Sequence, residues 1–341
     1  IYDRSDDLTT TGEISGSGKI TKLNSNTVTL SGLHSYTGST LIDDGTLKIQ
    51  NDAATTASSI FDGDGKLIIE SASDSFSSSF SSLGWTLANT ITGLTIGKST
   101  NTTDITIANA IDIDGFINIY GGDITINSNL DTQGGTTSGD ILLKASRDIT
   151  QAASKTVTTD GGDVIYWSNT DNGTNSDGGI FLRNGSSITT SGGHAWFGGG
   201  LGTTTWNSLT VGDGYALSGT EIDVINNLAH ARAGIYLENS SINTSGGDIS
   251  IAGKGTSDSH YGIVNLGTTT INSGSGHILI DGVANSGTGN TFGIVTGFHN
   301  TYVNANLTIT SSSDDLVNDA IVIKASGLGT QARGMIVEGN T

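Results

Sequence analysis

The chain has 341 residues, including 50 Gly but no Pro and no Cys, and its formal net charge is −19. This charge disfavours nucleic acid and anionic lipid as partners, and the lack of Cys excludes disulfides and thiolate metal sites. No apolar run approaches the roughly 18 residues that a transmembrane helix needs, so we predict that this segment does not insert into a membrane.

Short runs of β-branched and aliphatic residues, separated by Gly, Asn, Asp and Ser, predict strands and turns along the chain. Residues 1–93 are the less regular part. They include a Ser-rich stretch at residues 71–82 that carries Phe76 and Phe80. For this stretch we predict either a loop that bulges from the main structure or a short helix that packs on it.

Regular repeats follow in residues 94–341. A Gly-Ile pair recurs at Gly234, Gly262 and Gly293, and Ile249 lies 29 residues before its counterpart Ile278. Each full unit holds three short strand signals joined by polar turns, and no segment has a convincing helical period. The pattern predicts an all-β fold: a right-handed parallel β-helix with three short strands per coil, forming one continuous solenoid.

The predicted solenoid accounts for the composition. Apolar residues at alternate positions point inward, while Ser, Thr and Asn point outward. Gly suits tight corners, and the absence of Pro suits a ladder in which every interior strand needs its backbone N–H. A dozen or so coils stacked about 4.8 Å apart would make a rod about 60 Å long.

Residues 14–49 contain several motif elements in order: Ile14-Ser15-Gly16-Ser17-Gly18, Thr27-Val28-Thr29-Leu30-Ser31-Gly32, Tyr36-Thr37-Gly38-Ser39-Thr40 and Asp44-Gly45-Thr46-Leu47-Lys48-Ile49. This segment resembles the autotransporter-associated β-strand repeat of bacterial surface proteins. The later Gly-Gly-Asp-Ile units, at residues 121–124 and 246–249, resemble haemagglutinin-type repeats of large exported adhesins. The resemblance implies a β-helical passenger that is secreted or attached to the outer membrane of a Gram-negative cell. It implies no functional residue, because the shared motifs are structural.

Clustered aromatic residues provide the strongest indication of a binding site. Tyr166, Trp167, Trp196 and Trp206 lie within a short stretch, and Phe197 follows Trp196. Neighbours in a strand face opposite ways, so one member of each adjacent pair should lie outside the coil. Exposed rings could stack on sugars, which predicts a glycan contact at these four positions. The alternative is that the rings cover a coil end or an adjacent loop.

Acidic and His residues suggest weaker candidates. Asp112 and Asp114 share one strand face, as the acid and base of a polysaccharide hydrolase could, but an outward polar face opposite inward Ile residues is the simpler interpretation. Asp-rich turns at residues 43–45, 62–65 and 171–178 could bind calcium, although Asp-Gly is also a common turn. His194 and His277 occupy the repeat position of Asp248, which predicts a solvated corner.

The sequence therefore favours a non-catalytic segment of a large adhesin-like protein, acting as a stalk or passenger, with glycans or other cells as its partners. Because the sequence starts at Ile1 and shows no signal peptide, we expect it to be excised from a longer chain. We expect a monomer without a cofactor. Two alternatives stay open: a β-helical polysaccharide lyase or hydrolase with its pocket in the loops around residues 166–232, and a trimeric receptor-binding rod of the phage-fibre type.

Overall fold

The computed structural model describes residues 1–32, 34–50, 60–134, 139–171, 178–218, 232–257, 260–285, 291–297, 305–315, 318–327 and 332–337. Throughout these residues the chain forms β-strands and turns and no helix. The strands build long parallel sheets with up to three strands per coil, as a β-helix requires. The predicted fold class is confirmed.

The first four coils contain short strands: β1 (Leu8–Thr10), β2 (Ile14–Gly16), β3 (Ile20–Lys22), β4 (Thr27–Leu30), β5 (His34–Tyr36), β6 (Thr40–Ile42), β7 (Thr46–Gln50), β8 (Ile60–Asp62), β9 (Lys66–Glu70), β10 (Phe80–Ser81) and β11 (Thr86–Leu87).

The next four coils are the most regular: β12 (Gly93–Ile96), β13 (Ile105–Ile107), β14 (Ile111–Asp112), β15 (Phe116–Gly121), β16 (Ile124–Ile126), β17 (Leu130–Asp131), β18 (Ile141–Ala145), β19 (Ile149–Gln151), β20 (Thr156–Thr158), β21 (Val164–Ser168), β22 (Ile180–Leu182) and β23 (Ser187–Thr189).

The last four coils have longer strands and one insertion: β24 (Ala195–Trp206), β25 (Leu209–Gly214), β26 (Ala216–Leu217), β27 (Arg232–Glu238), β28 (Ser241–Asn243), β29 (Ile249–Lys254), β30 (His260–Leu266), β31 (Thr268–Gly274), β32 (Ile278–Ala284), β33 (Thr291–Thr296), β34 (Asn306–Ser311), β35 (Ile321–Gly327) and β36 (Ala332–Val337).

One sheet runs the length of the molecule and sets the number of coils. This first sheet takes one strand from each of twelve coils, in the order β1-β4-β7-β9-β12-β15-β18-β21-β24-β29-β32-β35. It passes residue 93 without a break, because β12 pairs in parallel with both β9 and β15. The second sheet runs from β10 to β36 and the third from β14 to β34, while β2-β5 and β11-β8-β6-β3 form smaller sheets in the N-terminal coils. At about 4.8 Å per coil the twelve coils span about 50–60 Å.

The core is a set of aliphatic stacks along the rod axis. The register of the first sheet places equivalent residues of successive coils directly over one another. From the second coil to the eleventh, the members of one such stack are almost completely buried: Val28, Leu47, Leu67, Leu94, Ile117, Ile141, Val164, Ala195, Ile249 and Ile278. Burying one such side chain contributes about 1.5–3 kcal/mol, so each added coil adds its own share of core.

A Gly at the corner between the third and first sheets brings successive coils close together. A Cβ at Gly139, Gly162, Gly193, Gly247 or Gly276 would collide with the carbonyl oxygen of the equivalent Gly one coil earlier. A buried hydroxyl completes the corner: Thr159 Oγ1 donates to Gly162 O at 2.5 Å, and Ser273 Oγ donates to Gly276 O at 2.6 Å. These contacts explain why Gly precedes the Asp-Ile segments in the repeats.

In the Ser-rich stretch at residues 71–82, residues 71–79 form a loop that leads into β10, so the short-helix alternative is wrong. Ser75 Oγ donates to Asn101 Oδ1 at 2.7 Å, which fixes the loop to the next coil. Phe76 and Phe80 are buried and stack with their ring centroids 5.3 Å apart. The two rings hold the loop against the core without any helical period.

The alternation of inward and outward positions can be tested within one strand. Ile117 is fully buried, whereas its neighbour Asn118 faces outward. We expect Ile117→Asp to lower the free energy of unfolding by several kcal/mol, because a buried carboxylate without a partner is very costly. Asn118→Asp should melt within a few degrees of the parent. Equal melting curves for the two variants by circular dichroism would contradict the assigned faces.

The close approach at the Gly corner gives a second stability test. We expect Gly193→Ala to destabilise the protein by about 1–3 kcal/mol, because the new methyl group must displace the Gly162 carbonyl of the preceding coil. Gly18→Ala is the matched control, since a Cβ there would meet nothing within 4 Å. Urea unfolding of both variants measures the difference, and an unaffected Gly193→Ala would mean that the corners are looser than described.

Candidate functional site

Tyr166 lies inside the coil and not on the surface. It is 0% exposed, and its hydroxyl donates to Gln151 Oε1 at 2.8 Å. Its ring meets Phe197 edge-on at 5.3 Å, and burial raises the pKa of the Tyr166 phenol. Tyr166 therefore fills the core, and this position offers no ring to a glycan in solution.

Trp167 and Trp196 do face out of the coil, as the strand alternation predicted, but an inserted hairpin covers them. Strands β24 and β25 pair antiparallel over this part of the first sheet. Trp167 is 3% exposed and Trp196 is 5% exposed, and they form a cluster with fully buried Val211 of the hairpin. Trp167 Nε1 donates to Gly200 O at 2.7 Å. The alternative interpretation, rings under an adjacent loop, describes both residues.

Lys144 is also drawn into this covered cluster. Its ammonium lies 3.6 Å from the centroid of the Trp167 ring, a cation–π geometry. Burial lowers the pKa of Lys144. The cluster is thus a structural anchor for the hairpin.

Trp206 is the one predicted glycan residue that remains partly exposed. It ends β24 and precedes a two-residue turn in which Asn207 and Ser208 both have positive φ, of 47° and 66°. Two positive φ values define the tight turn that matches the twist of a hairpin. The Trp206 ring lies 5.5 Å from the His194 ring at an angle of 68°. The glycan contact stays a prediction, and of the four residues predicted for it only Trp206 remains a candidate.

The tip of the hairpin is fixed to a row of side chains that we call the corner ladder. It comprises Asp140, Asp163, His194, Asp248 and His277, one from each of five successive coils. Each side chain accepts a hydrogen bond from the backbone N–H of the next member, at 2.9, 2.6, 2.8 and 2.7 Å in order. His194 and His277 therefore do occupy the position of Asp248, but the corner is half-buried and bonded between coils, so it is more than a solvated turn.

Asp248 is the best-connected member of the corner ladder. Asn207 Nδ2 at the hairpin tip donates to Asp248 Oδ2 at 2.6 Å, and His277 Nδ1 lies 3.2 Å from Asp248 Oδ1. Burial favours the neutral carboxyl, but hydrogen bonds from the backbone and side chain of His277 and from Asn207 outweigh it, so the pKa of Asp248 is lowered. His277 Nε2 also lies 3.4 Å from Asp315 Oδ2, which continues the row toward the last coil.

The hairpin tip and the corner ladder border a groove of about 570 Å³ on the outer face of the last coils. Its apolar part is formed by Trp206, Leu279 and Val322. Its polar rim carries two amides, two carboxylates, one imidazole and one ammonium: Asn207, Asn318, Asp248, Asp319, His277 and Lys324. These residues come from the hairpin, from β32 and β35, and from the segments that precede β29, β32 and β35. Only Trp206 among them was expected to bind a ligand.

Asp112 and Asp114 form the outward polar face that was the simpler prediction. Ile111 and Ile113 beside them are buried, whereas Asp112 is exposed and Asp114 is half-buried. Asp131 of the next coil pairs with Asp112 in register. Burial and the charge of Asp112 raise the pKa of Asp131, as like charges on adjacent coils should.

The Asp-Gly turns use their carboxylates locally. Asp44 Oδ1 accepts from Gly45 N at 2.6 Å, and Asp62 Oδ1 accepts from Gly63 N at 2.8 Å. Most of the third Asp-rich segment, residues 172–177, and two of the His residues, His230 and His299, lie outside the described residues. Within the part of the chain that the structure describes, no group of three or more His, Asp or Glu side chains could hold a metal ion.

Two further features were missed by the sequence analysis. Arg147 links three coils through ion pairs to Asp104 and, at 3.0 Å, to Asp123. Phe181 and Tyr236 lie in register on the outer face of the second sheet, where they belong to a buried apolar cluster. A strand alternation that assigns every second residue to solvent cannot reveal such covered outer faces.

Comparisons with known proteins provide no relative for this chain: no family model, curated protein or solved structure matches it. The resemblance of residues 14–49 to an autotransporter-associated repeat therefore stays a prediction. Among the described residues there is no helix long and apolar enough to cross a membrane.

The corner ladder predicts opposite effects for the same substitution at two of its positions. Burial and the Asp140 charge raise the pKa of Asp163, despite the hydrogen bond from the His194 backbone, whereas the pKa of Asp248 is lowered. We expect Asp248→Asn to cost about 1 kcal/mol at pH 7, because the Asn207 amide loses its charged acceptor. Asp163→Asn should be as stable as the parent or more stable, because the ionised form is disfavoured there.

The opposite pKa shifts of Asp248 and Asp163 predict opposite pH dependences of stability for the two variants. The stabilisation from Asp248 is present above the unfolded-state pKa near 3.9 and is lost as the pH falls through the lowered folded-state pKa. The gap between the parent and Asp248→Asn should therefore close in acid. For Asp163, the parent should gain stability relative to Asp163→Asn as the pH falls through the raised pKa. Melting temperatures from pH 7 to pH 3 test both trends, and parallel curves for the two variants would contradict the assignment.

Proposed function

We propose that this chain is a non-catalytic β-helical segment of a large secreted or cell-surface adhesin-like protein of bacteria, where it serves as a stalk or passenger. The observation that supports this most directly is the uninterrupted first sheet of twelve parallel coils. Such a sheet grows by adding coils, so length is obtained without a larger core. A rod about 50–60 Å long can hold binding regions away from a cell surface.

The use made of the ionisable side chains supports a structural role. Asp140, Asp163 and His194 bond to the backbone of the next coil, and Arg147 bridges Asp104 and Asp123 across coils. In this interpretation the residues that a polysaccharide hydrolase would use as acid, base or cation stiffen the rod.

The exterior supports a place outside the cell. The net charge of −19 keeps an elongated surface soluble and disfavours association with nucleic acid or anionic lipid. The resemblance of residues 14–49 to a passenger repeat agrees with export to a bacterial surface. Glycans or other cells are then the expected partners, and the segment acts as a monomer.

Surface exposure on the producing cell tests the proposal. Antibodies raised against this segment should label intact bacteria or bind protein in the culture medium, and protease added outside the cells should remove the label. A cytoplasmic marker protein is the control for lysis. Retention of the segment inside intact cells would overturn the proposal.

Two measurements on the purified segment distinguish a stalk from a polysaccharide-degrading enzyme and from a trimeric receptor-binding fibre. Light scattering should give the monomer mass of 34.8 kDa, and incubation with a panel of polysaccharides should release no new reducing ends or unsaturated products. A mass three times larger would favour a receptor-binding fibre. Turnover that is lost in a variant of one acidic residue would favour an enzyme.

A further inference from the structure

We propose that the groove between the hairpin tip and the last coils binds a neutral oligosaccharide, with one sugar ring stacked on Trp206. The inference deepens the proposed function by naming a ligand class and a site, and it rests on that function only for the expectation that a glycan is the partner. The geometry of the groove carries it.

Trp206 provides the stacking surface. The other Trp residues of the chain are 3–5% exposed, whereas Trp206 is partly open to the groove. Leu279 and Val322, on the outer face of the first sheet, line the same groove and extend its apolar surface. The C–H face of a sugar packs against such a surface, and an indole offers the largest flat area of any side chain.

The ring is held in place before any ligand arrives. The two-residue turn at Asn207 and Ser208 fixes the end of β24, and the Trp206 ring packs edge-on against His194. The hydrogen bond from Asn207 to Asp248 ties the turn to the corner ladder. A binding surface that is already ordered loses little conformational entropy when a ligand binds.

The rim offers groups that suit vicinal hydroxyls. Asn207, Asn318, Asp319 and Lys324 are all exposed at the groove. Amides both donate and accept, a carboxylate accepts twice and an ammonium donates, so adjacent hydroxyl groups can be matched in pairs. Asp248 and His277 already bond to one another and serve to orient this rim.

Charge selects among sugars. The groove contains the carboxylates of Asp248 and Asp319, and Asp315 lies beside His277, against the single ammonium of Lys324. Together with the net charge of −19, this field disfavours uronic and sialic acids. The volume of about 570 Å³ lies within the range of about 300–1,000 Å³ that is typical of small-molecule sites. A neutral saccharide of a few residues meets both conditions.

Calorimetric titration of the full chain tests the site. The probes are neutral trisaccharides built from glucose, galactose, mannose or N-acetylglucosamine, and one trisaccharide capped with sialic acid. We expect at least one neutral probe to bind, and the sialylated probe to bind at least tenfold more weakly or not at all. Trp206→Ala should weaken binding about tenfold or more, a change equal to about 1.4 kcal/mol.

Phe116→Ala is the matched control, since Phe116 is a partly exposed aromatic residue on the same sheet, several coils away from the groove. It should bind like the parent. A second variant, Val322→Trp, leaves the hairpin unchanged and fills the groove from β35. It should also abolish binding while the melting temperature is maintained, which separates loss of the site from any disturbance of the hairpin by Trp206→Ala.

Tryptophan emission gives an independent measurement. Acrylamide, a neutral quencher that the acidic groove does not repel, should quench Trp206 selectively, and a bound saccharide should protect it. The inference is overturned if no neutral probe binds, if only the sialylated probe binds, or if Trp206→Ala and Phe116→Ala lose affinity equally. Surface labelling of intact cells tests the stalk proposal separately, so failure of the groove leaves that result unchanged.

Discussion

The stacking of one coil on the next is the interaction on which the rest of the molecule depends. Each coil is joined to its neighbours by parallel backbone hydrogen bonds, and the register places apolar side chains of the first sheet over one another. A shift of one residue would turn every inward side chain outward. The corners prevent that shift, because Gly193 fits against the Gly162 carbonyl only when the two coils are in register.

The same constraint explains where charge is found. An elongated protein with a net charge of −19 repels itself unless its carboxylates are spaced or bonded. Part of the corner ladder does both, because Asp163 and Asp248 accept backbone hydrogen bonds from adjacent coils and His194 separates them along the axis. Asp140 and Asp163 are bonded but not spaced, and the charge of Asp140 contributes to the raised pKa of Asp163. Where carboxylates stack directly, as Asp131 does over Asp112, the ionised form is destabilised and the pKa of Asp131 is raised.

The fold could be predicted from the sequence, whereas the site could be predicted only in part. Offsets such as that between Ile249 and Ile278 report inter-coil register directly, because equivalent residues of successive coils pair in a solenoid. Trp206 was identified by its aromatic character alone. A hairpin that interrupts the repeat determines how far Trp206 is buried. The same hairpin covers Trp167 and Trp196, and it places Trp206 beside Val322 and Lys324. No periodicity in the sequence indicates onto which face such an insertion folds.

The hairpin and the coils contribute to the groove in separable ways. The coils supply a floor whose residues, Leu279 and Val322, face away from the inward stack, because each lies between inward positions of its strand. The hairpin supplies the wall, which is anchored by the buried cluster of Trp167, Trp196 and Val211 and by the hydrogen bond from Asn207 to Asp248. An elongated solenoid can thus acquire a binding site when a hairpin is inserted between two of its strands, while the stacking of its coils is unchanged.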